Sequence, residues 1–181
     1  MSLMFSEFLE PIFKTYDAHE WRKKKLWVEE VDYALKVGLP VLKEVYKKHT
    51  GKISMPGAPK FMCCYEFEDL IVNANCLNEK FGSNQLCIMY NLAMMTQMDE
   101  IESERHINMT FVEFLEAFVR VAEKLEIPNL EDDPETFIGM ELTTEQKETY
   151  AERPLNQKVD SLILYVGKTY LKKADYNAHC K

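Results

Sequence analysis

Hydrophobic residues along this chain recur mostly every three or four positions, which is the period of an α-helix, and strand-like alternation is scarce. The clearest case follows Thr110, where four apolar side chains fall on one helical face: Phe111, Phe114, Leu115 and Phe118. The spacing predicts a helix over 111–125. Other amphipathic helices are predicted over 6–16, 26–35, 39–49, 67–74, 84–95 and 155–171.

Local residues predict how several of these helices begin and end. Gly38 and Pro40 are expected to separate segments 26–35 and 39–49, because both residues disfavour a helix interior. The residues after Asn84 are apolar on most sides, which predicts that helix 84–95 is well buried. Residues 111–125 instead show one strongly apolar face.

Two segments match each other position by position. Residues 61–67 read Phe-Met-Cys-Cys-Tyr-Glu-Phe, and residues 108–114 read Asn-Met-Thr-Phe-Val-Glu-Phe. In both, a Met is followed four positions later by Glu and then by Phe, and a predicted helix stands on either side. The chain is therefore predicted to contain two helix-loop-helix units in tandem.

This arrangement resembles a pair of EF-hands, the helix-loop-helix units of the calmodulin superfamily. The resemblance covers residues 38–126 and implies an all-α fold with a paired EF-hand-like core. Residues 1–37 would then add N-terminal helices, residues 127–153 an acidic connector, and residues 154–181 a C-terminal amphipathic helix.

The resemblance has two further implications. Met62 and Met109 are expected to lie side by side and exchange backbone hydrogen bonds in a short antiparallel contact. One helix, residues 114–124, is also similar to EF-hand-like proteins of protozoan and ciliary cytoskeletons.

Calcium-binding EF-hand loops supply oxygen ligands at loop positions 1, 3, 5, 7 and 9, a glycine at 6 and a bidentate glutamate at 12. Counted back from Glu66, the first loop spans residues 55–66, and Glu66 is its only acid. Residues 51–65 contain no Asp or Glu in any other frame. The first loop is therefore predicted not to bind calcium in the usual way.

The second loop, residues 102–113, retains more of the pattern. The resemblance makes these residues its candidate metal ligands: Glu102, Glu104, Asn108 and Glu113. However, His106 is a poor ligand for a hard cation, and Ile107 replaces the glycine that would turn the loop sharply. We expect no bound cofactor, with weak calcium binding here as the alternative. If no metal binds, Glu102 and Glu104 are solvated acids and Glu113 caps its helix or forms a local ion pair.

Composition excludes several classes of function. The net charge of −8 argues against nucleic acid, which requires a basic surface. Most of the acidic excess lies in residues 126–153, as expected for a solvated connector. The chain contains no Gly-rich phosphate loop, and no His pairs with a Ser or Cys in a catalytic motif, so we do not expect an enzyme.

The cysteines and the lack of long apolar runs bear on location. Five cysteines without paired spacing favour a reducing compartment, and no run is long enough to enter a membrane. We expect a cytoplasmic protein, with a cytoskeletal or ciliary site as the narrower expectation. Cys63 and Cys64 stand at a predicted helix start, where a thiol can be activated, but small core residues are the favoured interpretation.

The functional prediction is an interaction scaffold, largely independent of calcium, that binds a partner helix in a hydrophobic groove. The chain has ten Met, and Met often lines adaptable binding surfaces. The candidate partner-binding residues are Met89, Met94, Met95 and Phe118. The alternative is a calcium sensor that uses loop 102–113. The C-terminal helix is predicted to dock on the core and to occupy the groove of a target helix.

Overall fold

The computed structural model describes residues 17–52, 60–74, 76–77, 81–94, 108–127 and 143–171. Within these ranges the chain is all-α, as predicted, and its only β-type pairing is one isolated bridge. The helices are α1 (Ala18–Trp21), α2 (Glu29–His49), α3 (Cys64–Asn73), α4 (Ser83–Ala93), α5 (Phe111–Lys124), α6 (Thr144–Glu152) and α7 (Leu155–Tyr170). A π-helical turn, Arg22–Leu26, directly follows α1.

Helix α5 lies at the centre of the molecule, in contact with α2, α4 and α7. Nine of its fourteen residues are buried, including Phe114 and Phe118. Both of these rings therefore belong to the core. The expectation of a single buried face was too narrow, because neighbours cover α5 on several sides.

Helix α4 was expected to be well buried, and this prediction is wrong. Of its eleven residues only Leu86, Tyr90 and Ala93 are buried, and Ile88 is 47% exposed. Apolar residues occur around the whole helix, but α3 and α5 cover only part of it. A hydrophobic count cannot tell which sides of a helix its neighbours cover.

Helix α2 runs without interruption through Gly38 and Pro40, so the predicted break is wrong. The proline ring removes the hydrogen bond to the Lys36 carbonyl. Both Pro40 and Lys36 are exposed, so water can replace the lost donor. The domain boundary placed between residues 37 and 38 falls inside this helix.

The C-terminal helix α7 packs against α2 and α5, which confirms that it docks on the rest of the chain. Its fully buried side chains are Val159, Leu162 and Val166. Gly38 permits the close approach of the two helices, because a Cβ at this position would lie 2.5 Å from Cδ1 of Ile163. The glycine in α2 therefore has a packing role that outweighs its low helix propensity.

The end of α7 is tied to the first helix-loop-helix unit. The Tyr170 hydroxyl donates a hydrogen bond to the Leu70 carbonyl oxygen at 2.6 Å. Its ring packs edge-on against His49, with 4.4 Å between the ring centroids. The end of α2, the middle of α3 and the end of α7 are thus joined around one aromatic side chain.

Part of the predicted acidic connector is helical, since α6 occupies residues 144–152. Arg153, which follows α6, donates to the Ile127 carbonyl oxygen at 2.9 Å and so ties the start of α7 to the end of α5. The predicted helix over 6–16 lies outside the described residues. Among the helices that are described, none is both long enough and apolar enough to cross a membrane.

Candidate functional site

The two helix-loop-helix units meet at Met62 and Met109. Their backbones form an antiparallel bridge, with N–H···O distances of 3.0 Å from Met62 to Met109 and 2.9 Å in return. Both side chains are completely buried. The predicted contact between these residues is confirmed.

Two tyrosines reinforce this bridge in a reciprocal way. Tyr46 of α2 donates its hydroxyl proton to the Met109 carbonyl oxygen at 2.9 Å, and Tyr90 of α4 donates to the Met62 carbonyl oxygen at 2.9 Å. Each tyrosine stands three residues before the last residue of its helix. The entering helix of each unit therefore donates a hydrogen bond to the bridge methionine of the other unit. Sequence analysis missed this pair, although the shared position before the helix end was a usable signal.

Glu66 connects the two ends of the first loop. Its Oε1 accepts a hydrogen bond from the Lys52 backbone N–H at 2.6 Å, and its Oε2 accepts one from the Cys63 N–H at 3.0 Å. Lys52 lies just beyond α2, and Cys63 is the N-cap residue of α3. The buried carboxylate thus links the entering helix to the exit helix.

Glu113 occupies the matching position in the second unit and caps α5. Its Oε2 accepts from the Thr110 backbone N–H at 2.8 Å and from the Thr110 hydroxyl at 2.6 Å. The Thr110 Oγ1 in turn accepts from the Glu113 N–H at 3.4 Å, which completes a capping box. This is the local capping role considered for Glu113.

The other candidate metal ligands are placed as follows. Glu102 and Glu104 lie outside the described residues, and half-buried Asn108 directly precedes the bridge residue Met109. Within the described part of the chain, no group of three or more His, Cys, Asp or Glu side chains could hold a metal ion.

The candidate partner-binding residues that the structure describes differ in their exposure. Met89 is half-buried on α4, whereas Met94 is the C-cap residue of that helix and Met95 lies outside the described residues. Phe118 has no exposed surface, so its assignment as a partner contact is incorrect for this conformation. A burial pattern seen from sequence cannot separate a groove lining from a core.

Met89 and Leu92 line a cavity of about 260 Å³ between α4 and α5. Its wall is completed from the N-terminal side by Trp21 of α1, not by α7. No described residue of the C-terminal helix α7 lines this cavity, so that helix docks elsewhere than beside Met89.

A charged cluster that sequence analysis did not find fixes the Trp21 indole in place. Glu116 is completely buried and pairs with Arg22 at 2.7 Å and with Arg120 at 2.8 Å. The Arg120 guanidinium lies 3.9 Å from the Trp21 ring centroid, and the indole N–H donates to Glu123 at 2.8 Å. Burial lowers the pKa of Arg120, and the neighbouring Glu116 carboxylate opposes that shift.

The sequence held only part of the signal for this cluster. Glu116 and Arg120 stand four residues apart, a spacing that suggests a surface ion pair on a helix. Their third partner, Arg22, is 94 residues away from Glu116. Only the tertiary fold shows that the pair is buried and shared.

The thiols at the start of α3 are half-buried, and Cys64 packs against the core. Burial and the adjacent Cys87 thiol raise the pKa of Cys64 to about 12, and burial also raises the pKa of Cys63. These raised pKa values are opposite to the activation that a helix start can give a thiol. Sequence analysis did not identify Cys87 as a neighbour of Cys64, because the two residues stand on different helices; their sulfurs are 3.4 Å apart.

Comparisons of the chain with family models, with curated proteins and with solved structures found no match.

Proposed function

We propose that this chain is an EF-hand-like interaction scaffold that keeps its binding conformation without calcium. The reciprocal contacts among Tyr46, Tyr90, Met62 and Met109 support the pairing of two related units. In EF-hand sensors, calcium in the loop sets the angle between the entering and exit helices. In this chain, hydrogen bonds within the protein would set that angle.

The proposal rests on the two hydrogen bonds that the Glu66 carboxylate accepts. A calcium ion would need both oxygens of the glutamate at loop position 12. Both Glu66 oxygens instead accept backbone N–H groups, from Lys52 at 2.6 Å and Cys63 at 3.0 Å. A hydrogen bond to a charged group contributes about 1.5–3 kcal/mol, so an ion would have to offset the loss of both bonds.

The cavity between α4 and α5 is the proposed partner surface. Met89 and Leu92 supply an adaptable apolar lining, and Ile88 adds exposed apolar area on the same helix. An amphipathic helix of a partner protein fits this chemistry, because it would bury apolar residues three and four positions apart in the groove. A cytoplasmic, cytoskeletal or ciliary setting for that partner stays a prediction.

A calcium titration of the full chain tests independence from the ion. We expect no calorimetric binding signal and little change in melting temperature at millimolar calcium, with or without excess magnesium. A ligand at a hundred times its dissociation constant would add ~2.7 kcal/mol of stability, which is readily detected. A large stabilisation that disappears in Glu113→Gln, but persists in Glu66→Gln, would instead establish the sensor that uses loop 102–113.

The partner surface is tested by affinity capture from a cell extract, with and without a calcium chelator. We expect the same partner in both samples and its loss in Met89→Glu. Val112→Glu is the matched control, because Val112 is 61% exposed on a different helix. Capture that requires calcium, or that is lost equally in both variants, would contradict the proposal.

A further inference from the structure

Cys64 and Cys87 bring two thiols together from different helices. Cys64 is the first residue of α3, Cys87 lies in the middle of α4, and their sulfur atoms are 3.4 Å apart. Both residues are half-buried, and neither is sealed in the core. Neither residue takes part in the interaction surface proposed above.

We propose that Cys64 and Cys87 are a modification site at which a peroxide oxidant forms an intramolecular disulfide. A disulfide bond is about 2.05 Å long, so the two sulfurs must approach by roughly 1.4 Å. The bond would join the exit helix of the first helix-loop-helix unit to the entering helix of the second. Residues 64–87 would then form a closed covalent loop.

Hydrogen peroxide supplies the oxidising equivalents, and the steps balance. One thiolate attacks a peroxide oxygen, so that an S–O bond forms, the O–O bond breaks, and hydroxide leaves and takes up a proton. The second thiolate then attacks the sulfur of the sulfenic acid, so that the S–S bond forms and the S–O bond breaks. Two thiols give up two electrons in total, and both peroxide oxygens end as water.

The surroundings predict a slow reaction at neutral pH that accelerates as pH rises. Burial and the neighbouring thiol raise the pKa of Cys64 to about 12, which leaves little thiolate on this residue. Thiolate is the reactive form in both steps. The pair is therefore suited to sustained oxidant exposure in a compartment that is otherwise reducing.

The test treats the reduced full chain with hydrogen peroxide, alkylates the remaining thiols, and maps cross-linked peptides by mass spectrometry. We expect one intramolecular cross-link, reversed by dithiothreitol, that is abolished in Cys64→Ser and in Cys87→Ser. Cys63→Ser and Cys76→Ser are the controls and should retain it. The oxidised chain should also melt at a higher temperature than the reduced chain, because closing residues 64–87 restricts the unfolded state.

Circular dichroism checks that each variant is helical, and Cys87→Ser carries the test if Cys64→Ser does not fold. A cross-link that survives in Cys87→Ser or in folded Cys64→Ser would overturn the proposal. An oxidised product that contains only sulfinic acid, or only disulfides between two chains, would overturn it as well.

Discussion

The two helix-loop-helix units share one plan but differ in the residue that precedes the exit helix. Each has a tyrosine near the end of its entering helix, a bridge methionine and a glutamate that closes a capping box at the start of its exit helix. The N-cap residue is Cys63 in the first unit and Thr110 in the second, where the Thr110 hydroxyl donates to Glu113. In the first unit, Glu66 also accepts the backbone N–H of Lys52 and so ties the entering helix to the exit helix.

The units also differ in how they are supported. The exit helix of the second unit, α5, is the centre of the core and is buried on several sides. The exit helix of the first unit, α3, buries mainly one face and receives a hydrogen bond from Tyr170 of α7. The second unit is thus held by the core, and the first unit depends on the C-terminal helix and on Glu66.

The largest expected effect comes from the aromatic centre of the second unit. Phe114 contacts the rings of Tyr46, Phe67 and Phe118, at centroid distances of 5.3, 6.2 and 5.8 Å. Phe114→Ala should cost ~3–5 kcal/mol of unfolding free energy, measured in urea, because it removes buried area and leaves a cavity.

Phe67→Ala is the matched change in the first unit and should cost less than Phe114→Ala. Val112→Ala, at an exposed position, should stay within about 0.5 kcal/mol of the wild type. An equal or larger loss for Phe67→Ala would show that the core supports the first unit as strongly as the second.

The next effect concerns the carboxylate that spans the first loop. In Glu66→Gln one acceptor oxygen becomes an NH₂ group that faces a backbone N–H, so we expect a loss of ~1.5–3 kcal/mol by urea denaturation. A loss within about 0.5 kcal/mol, the range of surface changes, would show that the bonds from Lys52 and Cys63 do not support the first unit.

Gly38 tests how strongly the first unit depends on α7. Alanine favours a helix over glycine by ~1 kcal/mol, yet its methyl group would meet Ile163. We therefore expect Gly38→Ala to be destabilising by a net ~1–2 kcal/mol, measured by thermal or urea unfolding.

A double-mutant cycle isolates the contact behind that loss. Ile163→Val removes the Cδ1 atom nearest to the new methyl group, and part of the loss should be recovered in the double variant. Strictly additive losses would mean that the close approach of α2 and α7 is not what requires glycine.

The smallest effect is a pH dependence at the end of α2. Burial lowers the pKa of His49 below its usual 6.5; Lys52 and Lys48 also lower it, while the Val45 carbonyl and Asp69 oppose the shift. The unfolded chain then binds more protons between the two pKa values, so His49 removes stability as pH falls from 6.5 through the folded pKa. His49→Asn should lessen this decline when unfolding free energy is measured between pH 8 and pH 5. An unchanged slope would show that His49 is not responsible.

Sequence analysis predicted the contacts that depend on local patterns. The matched methionines predicted the bridge between Met62 and Met109, and the apolar stripe of residues 155–171 predicted that the last helix docks on the chain. Sequence analysis failed where long-range packing decides whether a residue is buried or exposed. Helix α4 has apolar residues that are only partly covered, such as Ile88, and Pro40 is tolerated because its side of α2 faces solvent.

The candidate site was predicted less completely than the fold. The position of Glu66 was identified, but its bond to Lys52, fourteen residues earlier, corresponds to no sequence motif. Glu116 looked like one more helix acid, because Arg22 is far from it in sequence. The apolar pattern around Phe118 fits a residue that lines a groove as well as it fits a core residue. Only the packing of neighbouring helices distinguishes the two.

The docking of α7 on α2 has a consequence for how the protein is made. Lys48 and its partner Tyr170 are 122 residues apart in sequence. A ribosome that adds about 5–20 residues per second needs on the order of ten seconds to make that stretch. Throughout that interval the face of α2 around Gly38 has no C-terminal helix to cover it. The nascent chain therefore exposes an apolar helix face until α7 has been made, and a chaperone that binds such faces would have its main opportunity there.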